Sequence, residues 1–412
     1  MQVSAAPAAG GSSRAAWGML LALTGGFALS QAFRTIAAIL APPLQREFGL
    51  SPEQLGLFAG AFHFAFGGLQ LVMGIGIDVW GPRRTVLVVS PLMVVGAVVA
   101  ATAQGFGQLL LGQVILGIGC APAFLVCTVF IARRFASDRF ASVSGTILGV
   151  GSVGMLLTGT PLAWVVEMVS WRAGFLVLGA AAVLAWLAIL LLVEETPAPA
   201  GVRPPGVLEA LRGYGELFAL PHTWGIVVLA TFTYAAFLAL RGLWLGPLLV
   251  DRYQFSLVQA GHVAVLVSVV SMAGPPLFGR LDPGDARRRR WIVGYTFAVA
   301  AMYAAMALTR SAIVDVTLCT VMAVVGGYVV LQYADVRAAY PPRMIGRAMA
   351  VFTMAMFLGV ALMQWITGHV AAAAPRFGID LYAAVLGAIG LLLSAAVVAF
   401  MLLPQPRPAP PA

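Results

Sequence analysis

Long apolar runs, each about twenty residues or more, recur along the whole chain. We place them at residues 16–41, 54–76, 84–104, 107–131, 141–166, 172–193, 222–250, 258–279, 291–309, 311–335, 346–374 and 381–403. A helix needs about 20 apolar residues to cross the hydrocarbon core of a bilayer. Charged residues are 9% of the chain, whereas soluble domains carry about 25%. The sequence therefore predicts an all-α integral membrane protein with twelve transmembrane helices.

One interior connection divides these runs into six and six. Residues 194–221 are polar and rich in proline, which is typical of a linker rather than of a folded core. We therefore predict an N-terminal six-helix bundle over 16–193 and a C-terminal six-helix bundle over 222–403. The compositions of residues 1–15 and 404–412 predict disordered tails.

The basic residues predict the orientation of the chain. All 24 of them are arginines. Seventeen lie on the segments that are cytoplasmic if both termini are cytoplasmic, five lie on the opposite loops, and two lie inside apolar runs. Cytoplasmic loops of membrane proteins carry an excess of basic residues. We therefore predict a multi-pass protein of the inner (cytoplasmic) membrane with both termini and the linker in the cytoplasm. Because the arginines lie in short loops, the net charge of +9 does not predict nucleic-acid binding.

The two halves repeat at a nearly constant spacing. Parallel six-helix halves imply a pseudo-two-fold axis along the membrane normal, with a substrate site between the halves near the midplane. At 204 residues the repeat pairs Asp78 with Asp282, Arg133 with Arg337 and Arg139 with Arg343, and at 207 residues it pairs Arg34 with Arg241.

A loop in the first half carries a recognisable motif. The segment 74–84, GIGIDVWGPRR, resembles the signature of the major facilitator superfamily between the second and third helices. The resemblance implies a secondary transporter that works by alternating access, with a gate at the cytoplasmic side. The gate residues that it implies are Gly74, Asp78, Gly81, Arg83 and Arg84, together with Arg133, Asp282 and Arg337 of the repeat.

Two features of the family's proton-coupled drug antiporters are not matched. The fourth predicted helix has Gln113 where many members carry an arginine, and the fifth lacks their glycine–proline run. No acid lies near the middle of any apolar run. Drug/proton antiporters usually need a buried carboxylate as the proton carrier, so the motifs do not support that activity.

Arg34 and Arg241 lie inside the first and seventh apolar runs at similar predicted depth. Arginines at these places are similar to those of the organophosphate/phosphate antiporters, and Arg34 also resembles the first-helix arginine of the anion/cation symporters. A guanidinium stays charged and binds carboxylate or phosphate through two hydrogen bonds. We predict that the pair binds a small organic anion, with Glu167 as a resting partner of Arg34. The alternative is that both arginines snorkel to the membrane surface or bond to backbone carbonyls.

Other polar residues inside the runs are further candidates. His63 is the only histidine deep in a run, and it is a candidate for coupling proton movement to transport; an interhelical hydrogen bond is the alternative. The further substrate-binding candidates are Gln113, Gln332 and Trp244, for which helix–helix contact is the alternative. The remaining polar candidates inside the apolar runs are Gln31, Gln70, Tyr333 and Gln364.

The sequence thus predicts a secondary transporter for a small solute, driven by an ion or substrate gradient. An organic anion is the preferred substrate; export of a larger metabolite, siderophore or drug is the alternative, and a non-transporting receptor is a third. The expected partners are the substrate, protons if transport is coupled to them, and the lipid bilayer. We expect a monomer. With no phosphate-binding loop, metal cluster or nucleophile–base set in the sequence, we expect neither an enzyme nor a cofactor.

Overall fold

The computed structural model describes residues 13–135, 140–195, 214–341 and 344–405. Twelve helices in these ranges are long and apolar enough to cross a membrane. We label them α1 to α12 in chain order: Arg14–Thr35, Pro52–Ile77, Pro82–Ala101, Phe106–Arg134, Thr146–Met168, Trp171–Leu192, Pro221–Arg252, Leu257–Arg280, Asp285–Leu308, Ala312–Ala339, Ile345–Phe377 and Leu381–Leu402. Each predicted run overlaps one of these helices, so the predicted twelve-helix architecture is confirmed.

The two halves pack in the same way. In the first half α1 packs against α5 and α6, and α3 packs against α4 and α6. In the second half α7 packs against α11 and α12, and α9 packs against α10 and α12. Each contact in one half has its counterpart six helices along the chain, which is the predicted pseudo-symmetry.

Two helix pairs form most of the interface between the halves. Helix α2 runs along α11, and α5 runs along α8. The repeat relates α2 to α8 and α5 to α11, so the two pairs are also counterparts. The site between the halves is therefore bounded by these four helices together with α1 and α7.

We name the two ends of the bundle by their arginines. The arginine-poor end carries Arg46, Arg172, Arg252, Arg310 and Arg376, and the arginine-rich end carries the signature loop with Arg83 and Arg84 and the arginines of residues 280–290. Glycines close the arginine-poor end by bringing helices of the two halves into backbone contact. A Cβ built on Gly56 of α2 would overlap the Gln364 carbonyl of α11, and one on Gly246 of α7 would overlap the Ala38 carbonyl.

Several helices are less regular than the apolar runs predict, and three of them are α1, α5 and α7. Helix α1 ends at Thr35, and a further helix, Ala37–Phe48, continues its path. Helix α5 is interrupted at Gly159, which has non-helical φ and ψ of −100° and −123°. Helix α7 contains two π-helical turns, Leu240–Trp244 and Leu248–Arg252. The first of these turns contains Arg241, and π turns in helices are frequent at functional sites.

Candidate anion-binding site

Arg34 lies on α1 between the two halves of the protein. One guanidinium nitrogen, Nη1, donates to Gln31 Oε1 at 2.6 Å, one turn earlier on the same helix face, and to the Tyr234 hydroxyl of α7 at 3.4 Å. The guanidinium carbon lies 4.8 Å from the ring centroid of Phe66 on α2 and 4.5 Å from that of Phe357 on α11. A cation over an aromatic face is stabilised by the ring quadrupole. Arg34 therefore contacts both halves, and its residue is 5% exposed.

Arg241 occupies the counterpart position on α7. Its Nε donates to the Ser268 hydroxyl of α8 at 3.0 Å, and its Nη2 donates to the Met155 carbonyl of α5 at 3.0 Å. The residue is 1% exposed. Because Ser268 belongs to the second half and Met155 to the first, Arg241 also joins the two halves.

The repeat in the sequence is therefore also a repeat of the site. Arg34 lies against α2 and α11, and Arg241 lies against α8 and α5, which are the counterparts of those helices. Both side chains are buried between helices, so they do not snorkel to the membrane surface. The Met155 contact fits the alternative of bonding to a carbonyl, but only for one nitrogen of Arg241.

The two guanidinium groups keep unused hydrogen-bond donors. Within the described part of the chain, Arg34 Nε and Arg241 Nη1 are buried without a hydrogen-bond partner. The groups that do contact the guanidinium groups are hydroxyl, amide, carbonyl and aromatic, and all are neutral. Burying an unpaired charged donor is unfavourable. An anion is the kind of group that each of these donors would bind.

His63 and Gln364 face each other across the interface, on α2 and α11. His63 Nδ1 lies 3.1 Å from the carbonyl oxygen of Ala59, which is four residues earlier on the same helix. The Nε2 of His63 and both amide atoms of Gln364 are buried and make no other hydrogen bond among the described residues, and the two side chains lie within hydrogen-bonding reach of each other. Such a pair would be the interhelical hydrogen bond that is the alternative role of His63.

The remaining substrate candidates make no hydrogen bond to Arg34 or Arg241 among the described residues. Gln332 Oε1 accepts from Thr233 at 3.1 Å, and Gln332 lines a small cavity inside the second half. Trp244 Nε1 donates to the Thr367 hydroxyl of α11 at 2.8 Å, also inside the second half. Gln113 is buried on α4, and its Oε1 has no partner in the described ranges. Contact of these three with substrate stays a prediction.

Glu167 does not pair with Arg34, so that expectation is wrong. Its Oε1 accepts from the backbone N–H of Val258, at the start of α8, at 3.0 Å. The carboxylate therefore lies at the arginine-poor end and joins the two halves there. A carboxylate is stabilised at a helix N-terminus because the unpaired N–H groups and the helix dipole favour negative charge.

Phe66, Phe357 and Tyr234 contact Arg34 but were not predicted. Phenylalanine inside an apolar run gives no signal that separates a cation contact from ordinary packing. Tyr234 is a polar residue within an apolar run, and this was the signal that could have identified it.

The signature loop forms hydrogen bonds with the end of α6 in the same half. Gly81 has φ of +87°, a conformation that favours glycine, and a Cβ there would overlap the Glu195 carboxylate. Arg83 donates to the carbonyls of Val193 and Leu190. The backbone N–H of Arg84 donates to Glu195 Oε2 at 3.2 Å. These contacts fix the geometry of the loop between α2 and α3.

The other predicted gate residues have varied surroundings. A Cβ on Gly74 would meet only Leu125 at an ordinary 3.9 Å, so Gly74 does not lie at a close helix approach. Asp282 pairs with Arg288 at 2.6 Å. Arg133 is half-buried at the end of α4, and Arg337 is exposed at the end of α10. The side chain of Asp78, and Arg139 and Arg343, lie outside the described residues.

Twelve apolar helices in two repeated halves, with a buried polar site between the halves, are the architecture of secondary transporters. A model of the Major Facilitator Superfamily matches residues 23–363. The chain therefore belongs to the major facilitator superfamily, and the resemblance seen in the signature loop is confirmed.

Relatives and solved structures agree with this assignment. A probable sulfoacetate transporter of Cupriavidus necator is 24% identical over 261 residues, and the match covers 60% of this chain and 60% of that protein. The D-galactonate transporter of Escherichia coli is 24% identical over 372 residues, covering 82% of this chain and 85% of that protein. A bacterial homologue of the human lysosomal transporter Spinster, solved in an inward-facing and occupied conformation, matches with a TM-score of 0.77 at 20% identity, covering 95% of this chain and 97% of that one.

The chain thus spans about 60% of the length of the sulfoacetate relative. The match to the solved structure shows the fold. Membership of this family agrees with the expectation of a transporter rather than an enzyme.

Proposed function

We propose that the chain is a secondary transporter that carries a small organic anion, bound between Arg34 and Arg241. The observation that carries the proposal is the pair of buried guanidinium groups at the interface, each with neutral partners and one unused donor. A hydrogen bond to a charged group contributes about 1.5–3 kcal/mol. An anion that bonds to both arginines would therefore also hold the two halves together.

The names of the relatives support an anionic substrate. Sulfoacetate and D-galactonate are both organic anions, although they differ in acid group and in hydroxyl content. The common element is the negative charge, which is what two guanidinium groups recognise.

We further propose that the arginine-rich end faces the cytoplasm of a cell with an inner membrane, with both termini on that side. The cytoplasmic gate then consists of Gly74, Asp78, Gly81, Arg83, Arg84, Arg133, Asp282 and Arg337. Transport requires that the glycine contacts at the arginine-poor end open while the arginine-rich end closes. One chain suffices for this cycle because the site lies between the two halves of one chain.

Counterflow in liposomes tests the proposal. Purified protein is reconstituted, loaded with D-galactonate or sulfoacetate, and assayed for uptake of the same labelled anion. We expect Arg34→Gln and Arg241→Gln each to reduce uptake by about 10- to 100-fold, because each removes a charged donor. Arg46→Gln, which changes an exposed arginine, is the matched control and should transport normally.

Thermal denaturation checks that Arg34→Gln and Arg241→Gln are folded. If both folded variants take up the anion at the wild-type rate, the two arginines do not form an anion site. Arg34→Lys keeps the charge and separates loss of charge from loss of fold. Efflux of lipophilic cations without anion transport would favour the exporter alternative.

A further inference from the structure

We propose that Arg287 and Arg290 bind the phosphate group of an anionic phospholipid in the leaflet at the arginine-rich end. Both residues lie in the first two turns of α9, within a run of four arginines at residues 287–290. The inference concerns the outer surface of the second half, so it does not depend on an anion site at Arg34 and Arg241. It follows from the different surroundings of the four side chains.

The two middle arginines of the run are paired with acids of their own half. Arg288 donates through Nε to both oxygens of Asp282, at 3.0 and 3.1 Å, and through Nη2 at 2.6 Å. Arg289 donates through Nε and Nη2 to the two oxygens of Asp335, each at 2.9 Å. Such two-point pairs of arginine with carboxylate are strong and fix the geometry of both groups. The second half therefore compensates the charges of Arg288 and Arg289 internally.

The two outer arginines of the run have no such compensation. Within the described part of the chain, neither Arg287 nor Arg290 makes a hydrogen bond or an ion pair, and both are exposed. Residues three apart on a helix lie on the same face. Positive charge near a helix N-terminus is unfavourable, because it opposes the helix dipole and the unpaired N–H groups there. An anion outside the protein would compensate both side chains.

The first half shows how an arginine at this place can serve the fold instead. At 204 residues the repeat pairs Arg83 with Arg287. Arg83 is half-buried, and its Nη2 donates to the carbonyl of Leu190 near the end of α6 at 3.0 Å. Among the described residues Arg287 makes no such contact with α12, the counterpart of α6. The structural role of Arg83 is therefore not repeated by Arg287.

The length of α9 places both arginines at the level of the lipid headgroups. Its 24 residues span about 36 Å, whereas the hydrocarbon core is about 30 Å thick, so each end extends about 3 Å beyond the core. Arg287 then lies at the boundary of the core, and Arg290 lies about 5 Å inside it. Helical side chains lean toward the N-terminus, and long arginine side chains extend to the membrane surface. Both guanidinium groups can therefore contact a headgroup.

The same face of α9 is apolar and exposed beyond the arginines. It continues from Arg290 through Gly294, Phe297, Ala298 and Ala301. The acyl chains of a phospholipid whose phosphate is held by the arginines would lie along this surface. A guanidinium binds phosphate through two hydrogen bonds. The combination of two uncompensated arginines with an apolar face indicates a phospholipid rather than a free phosphate ion.

Binding of two lipids with the same acyl chains tests the inference. The full-length purified protein in detergent is titrated with phosphatidylglycerol or phosphatidylcholine, and bound lipid is counted by native mass spectrometry. Both lipids carry a phosphate, but only phosphatidylglycerol has a net negative charge. We expect phosphatidylglycerol to bind about 30-fold more tightly, because each arginine near the membrane surface contributes about 5-fold. This preference should decrease as the salt concentration rises.

Variants assign the preference to the two arginines. Arg287→Gln and Arg290→Gln should each lower the ratio of the two affinities by about 5-fold, and the double variant should bring it close to one. Lysine at both positions keeps the charge and should retain most of the ratio. The matched control combines Arg310→Gln with Arg376→Gln, which removes the same charge from two exposed arginines at the opposite end. It should leave the ratio unchanged.

Three results would overturn the inference. They are equal affinities of the wild-type protein for the two lipids, a preference that survives in the double variant, and an equal loss of preference in the control. The last result would show that the lipid responds to the net charge of the protein and not to this surface. Thermal denaturation verifies that every variant is folded. Uptake of organic anions is measured separately, so none of these results bears on the proposed function.

Discussion

Two buried arginines are held at the centre of this protein by neutral groups rather than by acids. For Arg34 the main contacts are aromatic, with a ring from each half packed against the other ring and against the guanidinium. For Arg241 they are a hydroxyl and a carbonyl. Neutral partners stabilise the charge without cancelling it, so the positive potential that attracts an anion remains.

The first prediction concerns the contact between Arg34 and the ring of Phe357. Phe357→Leu should lower the stability of the ligand-free protein by about 1–2 kcal/mol, because it removes one cation–π contact and leaves a small gap. Thermal unfolding in detergent measures the change. Phe377→Leu is the control, since Phe377 is exposed near the end of the same helix. Equal unfolding temperatures for the two variants would argue against a stabilising ring contact.

The second prediction concerns how the stability contributed by the Asp282–Arg288 pair depends on pH. Hydrogen bonds from Arg288 hold the pKa of Asp282 below its ordinary value. The contribution of this pair to stability is therefore fully present above the unfolded pKa of about 3.9 and is lost as the pH falls through the lower folded value. Asp282→Asn should unfold at a lower temperature than wild type at pH 7, and the difference should shrink below about pH 4. A difference that grows in acid would contradict this origin.

At this scale the sequence predicted the charged residues and one of their partners, Gln31, but it missed the aromatic ones. Arg34 and Arg241 stand out because a charge inside an apolar run is rare. Phe66 and Phe357 do not stand out, and they meet Arg34 only because two helices from different halves converge there. The spacing of apolar residues within one helix does not predict which helix of the other half packs against it.

At the scale of single elements, α7 departs most from a regular helix. Its two π turns lie on either side of Gly246, whose backbone contacts Ala38 of the first half. An apolar run is equally compatible with α and π turns, so the sequence predicted only that a helix spans this region. The interruptions after Thr35 and at Gly159 were missed for the same reason.

Gly246→Ala should weaken closure of the arginine-poor end. The added methyl overlaps a backbone carbonyl, and such overpacking costs about 1–3 kcal/mol. The open population should therefore rise by about 5- to 150-fold. Double electron–electron resonance between spin labels at the exposed positions 46 and 376, one in each half, measures the opening.

The matched control for this variant is Gly294→Ala in α9, where the added methyl meets nothing within 4 Å. It should leave the distance distribution unchanged. If Gly246→Ala also gives the wild-type distribution, the glycine contact does not control closure.

At the scale of the whole molecule, the two halves meet through contacts that must break during transport. Glu167 provides a polar contact of this kind, from α5 to the first turn of α8. The repeat in the sequence predicted that the halves are equivalent. It could not predict that α5 meets α8 and α2 meets α11, because an offset between halves says nothing about which faces adjoin.

Glu167→Gln should shift the protein modestly toward opening at the arginine-poor end. The amide oxygen can still accept from Val258, but the interaction of the charge with the helix dipole, about 0.3–1 kcal/mol, is lost. We expect a shift of about 2- to 5-fold, read from the same pair of spin labels. Glu216→Gln, at the opposite end of the bundle, should have no such effect. A shift toward closure in Glu167→Gln would show that the contact of Glu167 with Val258 does not hold the arginine-poor end closed.

A double-mutant cycle on the two arginines tests the central claim most directly. The affinity for D-galactonate is measured for wild type, Arg34→Gln, Arg241→Gln and the double variant. If one anion bonds to both guanidinium groups, the losses are not additive, and the coupling energy should exceed about 0.5 kcal/mol. Affinity that is unchanged in both single variants, or losses that add fully, would show that the arginines do not bind one anion together.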